Sequence, residues 1–75
     1  MTLREARELA GLSQTALADY ADTQAQTISD LETGRNSNPS YHLVTRIVAA
    51  LRSCGLRGLM ADQIFPVATK EKERV

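Results

Sequence analysis

Helix start and stop signals recur so closely along this chain that they call for several short helices packed on one another. Thr2-Leu3-Arg4-Glu5 opens the series. A threonine followed three residues later by glutamate is a capping box, in which each side chain satisfies a backbone N–H that the helix leaves unpaired. Leu3, Ala6 and Ala10 share one face of this first helix, and Gly11 stops it. Ser13 caps a second helix, Gln14 to about Ala21, with Leu17, Ala18 and Ala21 inward. Ala18 is small where a crossing helix must come close. After the break Asp22-Thr23-Gln24, a third helix is predicted from Ala25 to Glu32 or Thr33, closed by Gly34. The loop Arg35-Asn36-Ser37-Asn38-Pro39 has turn chemistry throughout, and Ser40 caps a fourth helix, Tyr41 to about Ser53. There Leu43, Val44, Ile47, Val48 and Leu51 form a wide apolar stripe. Gly55 and Gly58 bracket a connector, and Ala61 to Phe65 make a last helical turn ended by Pro66. Nothing alternates as a strand would. The expected fold class is all-α, a compact bundle of four to five helices.

Length and composition narrow the function. Seventy-five residues make one small domain. A core of that size supplies about 3–5 kcal/mol, so pairing with a second copy would help. A single cysteine, Cys54, excludes an internal disulfide, argues against a cysteine-based metal site and fits a reducing cytosol. No apolar run reaches the ~20 residues of a membrane helix, and the N-terminus lacks the apolar core of a signal peptide. A soluble, cytoplasmic protein is expected. Two tyrosines, one phenylalanine and no tryptophan are too few for a platform that stacks single-stranded bases. The net charge is zero but uneven. Residues 1–32 set Arg4 and Arg7 against Glu5, Glu8, Asp19, Asp22, Asp30 and Glu32, whereas residues 33–60 hold Arg35, Arg46, Arg52 and Arg57 with no acid.

The third helix carries the chemistry. On a wheel of about 100° per residue, Ile28 and Leu31 face inward while Gln26, Ser29, Asp30 and Thr33 form a polar stripe opposite. Most surface helices have a polar face and nothing more. This one is made of short hydrogen-bonding groups suited to base edges. Glutamine can pair with adenine N6 and N7, serine can donate or accept, and aspartate can accept from cytosine N4 in a major groove about 12 Å wide.

The stripe follows a capped helix and a three-residue break, and here the sequence resembles a known family. Residues 11–34, GLSQTALADYADTQAQTISDLETG, look like the helix-turn-helix of the phage Cro/repressor (XRE-like) DNA-binding domains. The matching pieces are Gly11-Leu12-Ser13-Gln14, Leu17-Ala18, Thr27-Ile28-Ser29, Glu32-Thr33-Gly34 and Asn38-Pro39-Ser40, resuming at Gly58–Phe65. The resemblance covers residues 3–66 with one break, Arg52 to Arg57, which reads as an insertion after the fourth helix. It implies a helix-turn-helix domain over residues 1–66, built on helices two and three, and the charged residues beyond it, 67–75, read as a mobile tail. It also implies roles. Gln24, Ala25, Gln26, Ser29 and Asp30 match base-facing positions. Gln14, Thr33, Arg35 and Ser40 match phosphate-contacting ones. Arg7 and Glu32 match a structural ion pair between helices one and three.

The chain departs from the family pattern at Gln24, where serine or threonine often sits, and at Asp22, where glycine often does. Residues 13–32 also hold four acids and no lysine or arginine, which predicts weak non-specific binding and a shallow salt dependence. His42 has no second ligand spaced to join it and reads as an exposed or phosphate-adjacent side chain. Tyr41 is expected to pack at the start of helix four, and Cys54 to be packed or partly exposed. Leu56, Leu59, Met60, Ile64 and Phe65 are more apolar side chains than a short terminal segment easily covers, and a dimer surface is expected among them.

The expected function is a Cro-like repressor, of phage or prophage type, binding a pseudo-palindromic operator as a homodimer. No cofactor, metal or membrane is implied. The rival reading is an antitoxin-type or adaptor protein that uses the scaffold to bind a toxin or another protein. No nucleophile–base pair, metal cluster or phosphate loop points to an enzyme.

Overall fold

Side-chain caps open three of the helices and set where each begins. The computed structural model describes residues 1–36 and 38–65, with helices α1 Leu3–Leu9, α2 Gln14–Tyr20, α3 Ala25–Thr33, α4 Tyr41–Ser53 and α5 Ala61–Ile64. There is no strand among the described residues. The Thr2 hydroxyl accepts from the Glu5 N–H at 3.1 Å while the Glu5 carboxylate accepts from the Thr2 N–H at 2.8 Å, closing the capping box. Ser13 Oγ accepts from the Ala16 N–H at 3.0 Å, and Ser40 Oγ from the Leu43 N–H at 3.1 Å. Gln24 gives α3 no side-chain cap.

Three of the helix ends follow one rule, and one of the three does so without glycine. α1 and α4 close in the same double hydrogen bond: Leu12 and Leu56 N–H reach back to the Arg7 and Leu51 carbonyls, while Gly11 and Gly55 reach Glu8 and Arg52. That motif needs a left-handed residue, and the two glycines supply it at φ 75° and 123°. α2 closes identically, with Thr23 bonded to Ala18 and Asp22 to Asp19, but its left-handed residue is Asp22 at φ 57°. The turn between α2 and α3 therefore holds a conformation that costs an L-residue with a Cβ.

The core lies where α2, α3 and α4 meet. Leu17, Ile28, Ile47 and Leu51 are fully buried there, joined by Leu3 and Ala6 from α1 and by the small Ala18, Ala21 and Ala50. α2 packs most extensively on α3 and also on α4, while α1 rests on α3 and α5 on α4. Two arginines staple this frame through backbone carbonyls. Arg46 Nε donates to the Ala21 carbonyl at the end of α2 at 3.0 Å, and Arg52 Nε to the Leu59 carbonyl at 2.7 Å. The stretch 52–57 divides accordingly: Arg52 and Ser53 extend α4, and the chain then turns at Cys54–Gly58.

Two expectations are corrected. Leu59 and Ile64 are buried in the monomer's own core, because the turn after α4 folds α5 back onto it with Arg52 holding the Leu59 carbonyl. Leu56 and Phe65 are half-buried against the same core, which leaves Met60 as the exposed member of the group expected at a dimer surface. Tyr41 is 77% exposed, its ring edge-on to His42 with centroids 6.3 Å apart. Side chains lean toward a helix's N-terminus, so a ring on the first residue of α4 leans past the end of the core instead of onto it. The expected tail, 67–75, Ser37 in the loop and the helix stop at Pro66 lie outside the described residues.

Candidate nucleic-acid interface

α3 is anchored from behind and open in front. Behind, Ile28 is fully buried and Leu31 packs against the core. In front, Gln24, Gln26 and Thr33 are exposed, and Ala25, Ser29 and Asp30 are half-buried. The amide of Gln26 donates to Asp30 Oδ1 at 2.9 Å, one turn along the helix. Thr33 turns its hydroxyl inward along the helix and donates to the Ser29 carbonyl at 3.0 Å. Ser40 accepts from Leu43 through its oxygen, which leaves its hydroxyl hydrogen to give. Arg35 is exposed just past the end of α3 and has no ion-pair partner among the described residues. The Asn36 N–H reaches back to the Asp30 carbonyl at 3.1 Å and ties that loop to the helix.

The orientation of α3 is held by one carboxylate. Glu32 Oε2 accepts from Arg7 Nε at 2.6 Å, and Oε1 accepts from Arg7 Nη2 at 3.2 Å and from Gln14 Nε2 at 3.0 Å. Arg7 Nη1 also donates to the Leu12 carbonyl at 2.9 Å. The first residue of α2, the last turn of α1 and the end of α3 thus meet on Glu32. The Arg7 and Glu32 side chains are only 12% and 5% exposed. Burial pushes the Glu32 carboxyl up, but the hydrogen bonds from Arg7 and Gln14, with the positive field of Arg7 and Arg4, outweigh it and hold the group below its ordinary range. The hydrogen bond to Glu32 raises Arg7 above its own ordinary value against the opposing effect of burial. Gln14 keeps one amide hydrogen and its carbonyl oxygen for a further partner.

Sequence reasoning missed the duties of Arg46 and Arg52. Both belong to the acid-free stretch 33–60, and both donate to backbone carbonyls. Their signal was faint, an arginine aligned toward a helix end or turn that only the tertiary fold brings near. Among the described residues no cluster of His, Cys, Asp and Glu could hold a metal ion, and no helix is long and apolar enough to cross a membrane.

Two adjacent helices in which the second presents a polar face while its back is buried against the first are arranged as in a helix-turn-helix protein. The comparison with family models agrees: a helix-turn-helix family matches residues 3–59, most of the chain, and this chain belongs to that family of DNA-binding regulatory domains, with DNA as partner. Neither the curated proteins nor the solved structures returned a match.

Proposed function

We propose that this chain is a sequence-specific transcriptional regulator of the Cro-like kind, a cytoplasmic repressor acting as a homodimer on a pseudo-palindromic operator. The observation that carries the reading is the split character of α3, with Ile28 fully buried and the face bearing Gln24, Gln26, Ser29 and Asp30 turned outward. That face enters a major groove, with Ala25 close enough to touch a thymine methyl. Gln14, Arg35 and Ser40 donate to phosphates on either side, and Thr33 does so only by giving up its bond to the Ser29 carbonyl. The second copy repeats this about 34 Å away, one helical turn along the duplex. Met60, with the open edges of Leu56 and Phe65, supplies the contact between copies. Bound there, the pair represses by occluding the polymerase.

Selection of bound duplexes from a random pool tests this. An inverted repeat is the expected product, and Gln26→Ala relaxes preference at one base position per half-site by about 1–3 kcal/mol. The acidic front, four carboxylates and no cation over residues 13–32, favours a second reading in which the scaffold binds a protein such as a toxin. A pool that yields no enriched duplex at low salt, together with a defined protein partner, selects that reading.

A further inference from the structure

The Gln26–Asp30 hydrogen bond joins two side chains that both belong to the proposed reading face, and it changes what one of them can read. A free glutamine amide is ambiguous in a major groove. With its oxygen toward a base amino group and one hydrogen toward N7 it matches adenine, whereas turned over, with only its hydrogens engaged, it serves guanine O6 and N7. The amide nitrogen and oxygen exchange places at the cost of a side-chain rotation, so specificity requires something to choose between the two. Asp30 makes that choice. Its carboxylate accepts from Gln26 Nε2 at 2.9 Å, and a turned-over amide would set the Gln26 oxygen against that negative oxygen. One amide hydrogen is thereby used, leaving the carbonyl oxygen and the other hydrogen, the pair adenine requires. A Gln–Asp pair at this i, i+4 spacing is a favourable helix-surface contact, so the orientation exists before any duplex arrives.

We infer that Asp30 is a positioning residue that fixes the Gln26 amide for adenine and against guanine. The inference rests on the proposed DNA-binding reading. It is tested by base-preference profiling on randomised duplexes with the full chain, its D30A and D30N variants, and Gln26→Ala to identify the base position concerned. Alanine offers Gln26 no partner, and asparagine can accept from its nitrogen or donate to its oxygen, so neither variant chooses between the two orientations, and both remove the same negative charge. Both therefore raise affinity for all duplexes, and in both the adenine-to-guanine ratio at the Gln26 position should fall. The full chain is expected to prefer adenine there by about 10-fold or more, within the discrimination typical of a bidentate pair. D30A and D30N should both bring the ratio toward one.

An unchanged ratio in D30A or in D30N overturns the inference. So does a wild-type preference for guanine. A readout without DNA separates this failure from that of the functional reading. In the free protein, the side-chain amide proton of Gln26 should show a hydrogen-bonded NMR shift that D30A abolishes. If that signal is absent, the positioning fails on its own account. If it is present and no duplex is enriched, the DNA reading fails and the inference with it.

Discussion

At Glu32 a single residue decides whether three helices stay in register. Its carboxylate takes three hydrogen bonds from Arg7 and Gln14, in a place nearly closed to solvent. Removing Arg7 leaves that charge buried without its partner, a loss of about 3–5 kcal/mol. A core of this size supplies about the same amount, so Arg7→Ala should be largely unfolded by circular dichroism at 25 °C. Glu32→Gln keeps an acceptor for Arg7 and should fold with reduced stability. The direction of the Glu32 shift sets the pH behaviour. A carboxyl whose folded value lies below its unfolded one contributes stability that is complete above the unfolded value, about 4.3, and is lost as pH falls through the folded value. Urea midpoints should therefore separate wild type from Glu32→Gln at pH 7 and converge as pH drops below about 4.3. Parallel curves across that window would remove Glu32 from the account.

At the scale of elements, the helix ends explain both what the sequence disclosed and what it hid. Thr2, Ser13 and Ser40 announce the starts of α1, α2 and α4 because a cap is satisfied by its own next three residues. The α3 stripe was equally legible, since the burial of Ile28 and the outward set of Gln26 follow from helical period alone. Leu59 and Ile64 were not. Hydrophobicity says that a side chain wants cover, but not whether its own monomer or a second copy supplies it. Asp22 is the place where local signals conflict, with a left-handed φ of 57° and a negative charge at the end of α2. Both features are unfavourable there. Asp22→Gly should stabilise the domain by about 0.5–1 kcal/mol, raising Tm by roughly 2–8 °C. Asp22→Asn, which removes the charge and keeps the side chain, should recover only part of that gain. Arg52→Ala frees the Leu59 carbonyl and should cost about 1.5–3 kcal/mol in urea unfolding, the range for a hydrogen bond to a charged group. It should leave the salt dependence of DNA binding unaltered.

Over the whole molecule, the distribution of charge governs how it can hold a polyanion. The front formed by α2 and α3 carries Asp19, Asp22 and Asp30 as well as Glu32, the last of these neutralised by Arg7. Arg46 and Arg52 are occupied with carbonyls, so Arg35 is the cation set beside the end of α3 without such an engagement. Affinity must then come from base edges, neutral donors and backbone N–H groups, with few counterions released. Each phosphate neutralised contributes about 0.9 to the slope of log K against log salt. Arg35→Ala should thus weaken binding to all duplexes alike and flatten the slope by about one unit for each copy bound. The same titration counts copies: a change near one unit indicates a lone domain on its site, and a change near two indicates a pair. Arg57→Ala, made in parallel, tests whether the exposed connector adds a contact of its own. If neither substitution moves the slope, no arginine of the loop or connector lies against phosphate. Affinity would then rest on base edges, neutral donors and backbone N–H groups alone.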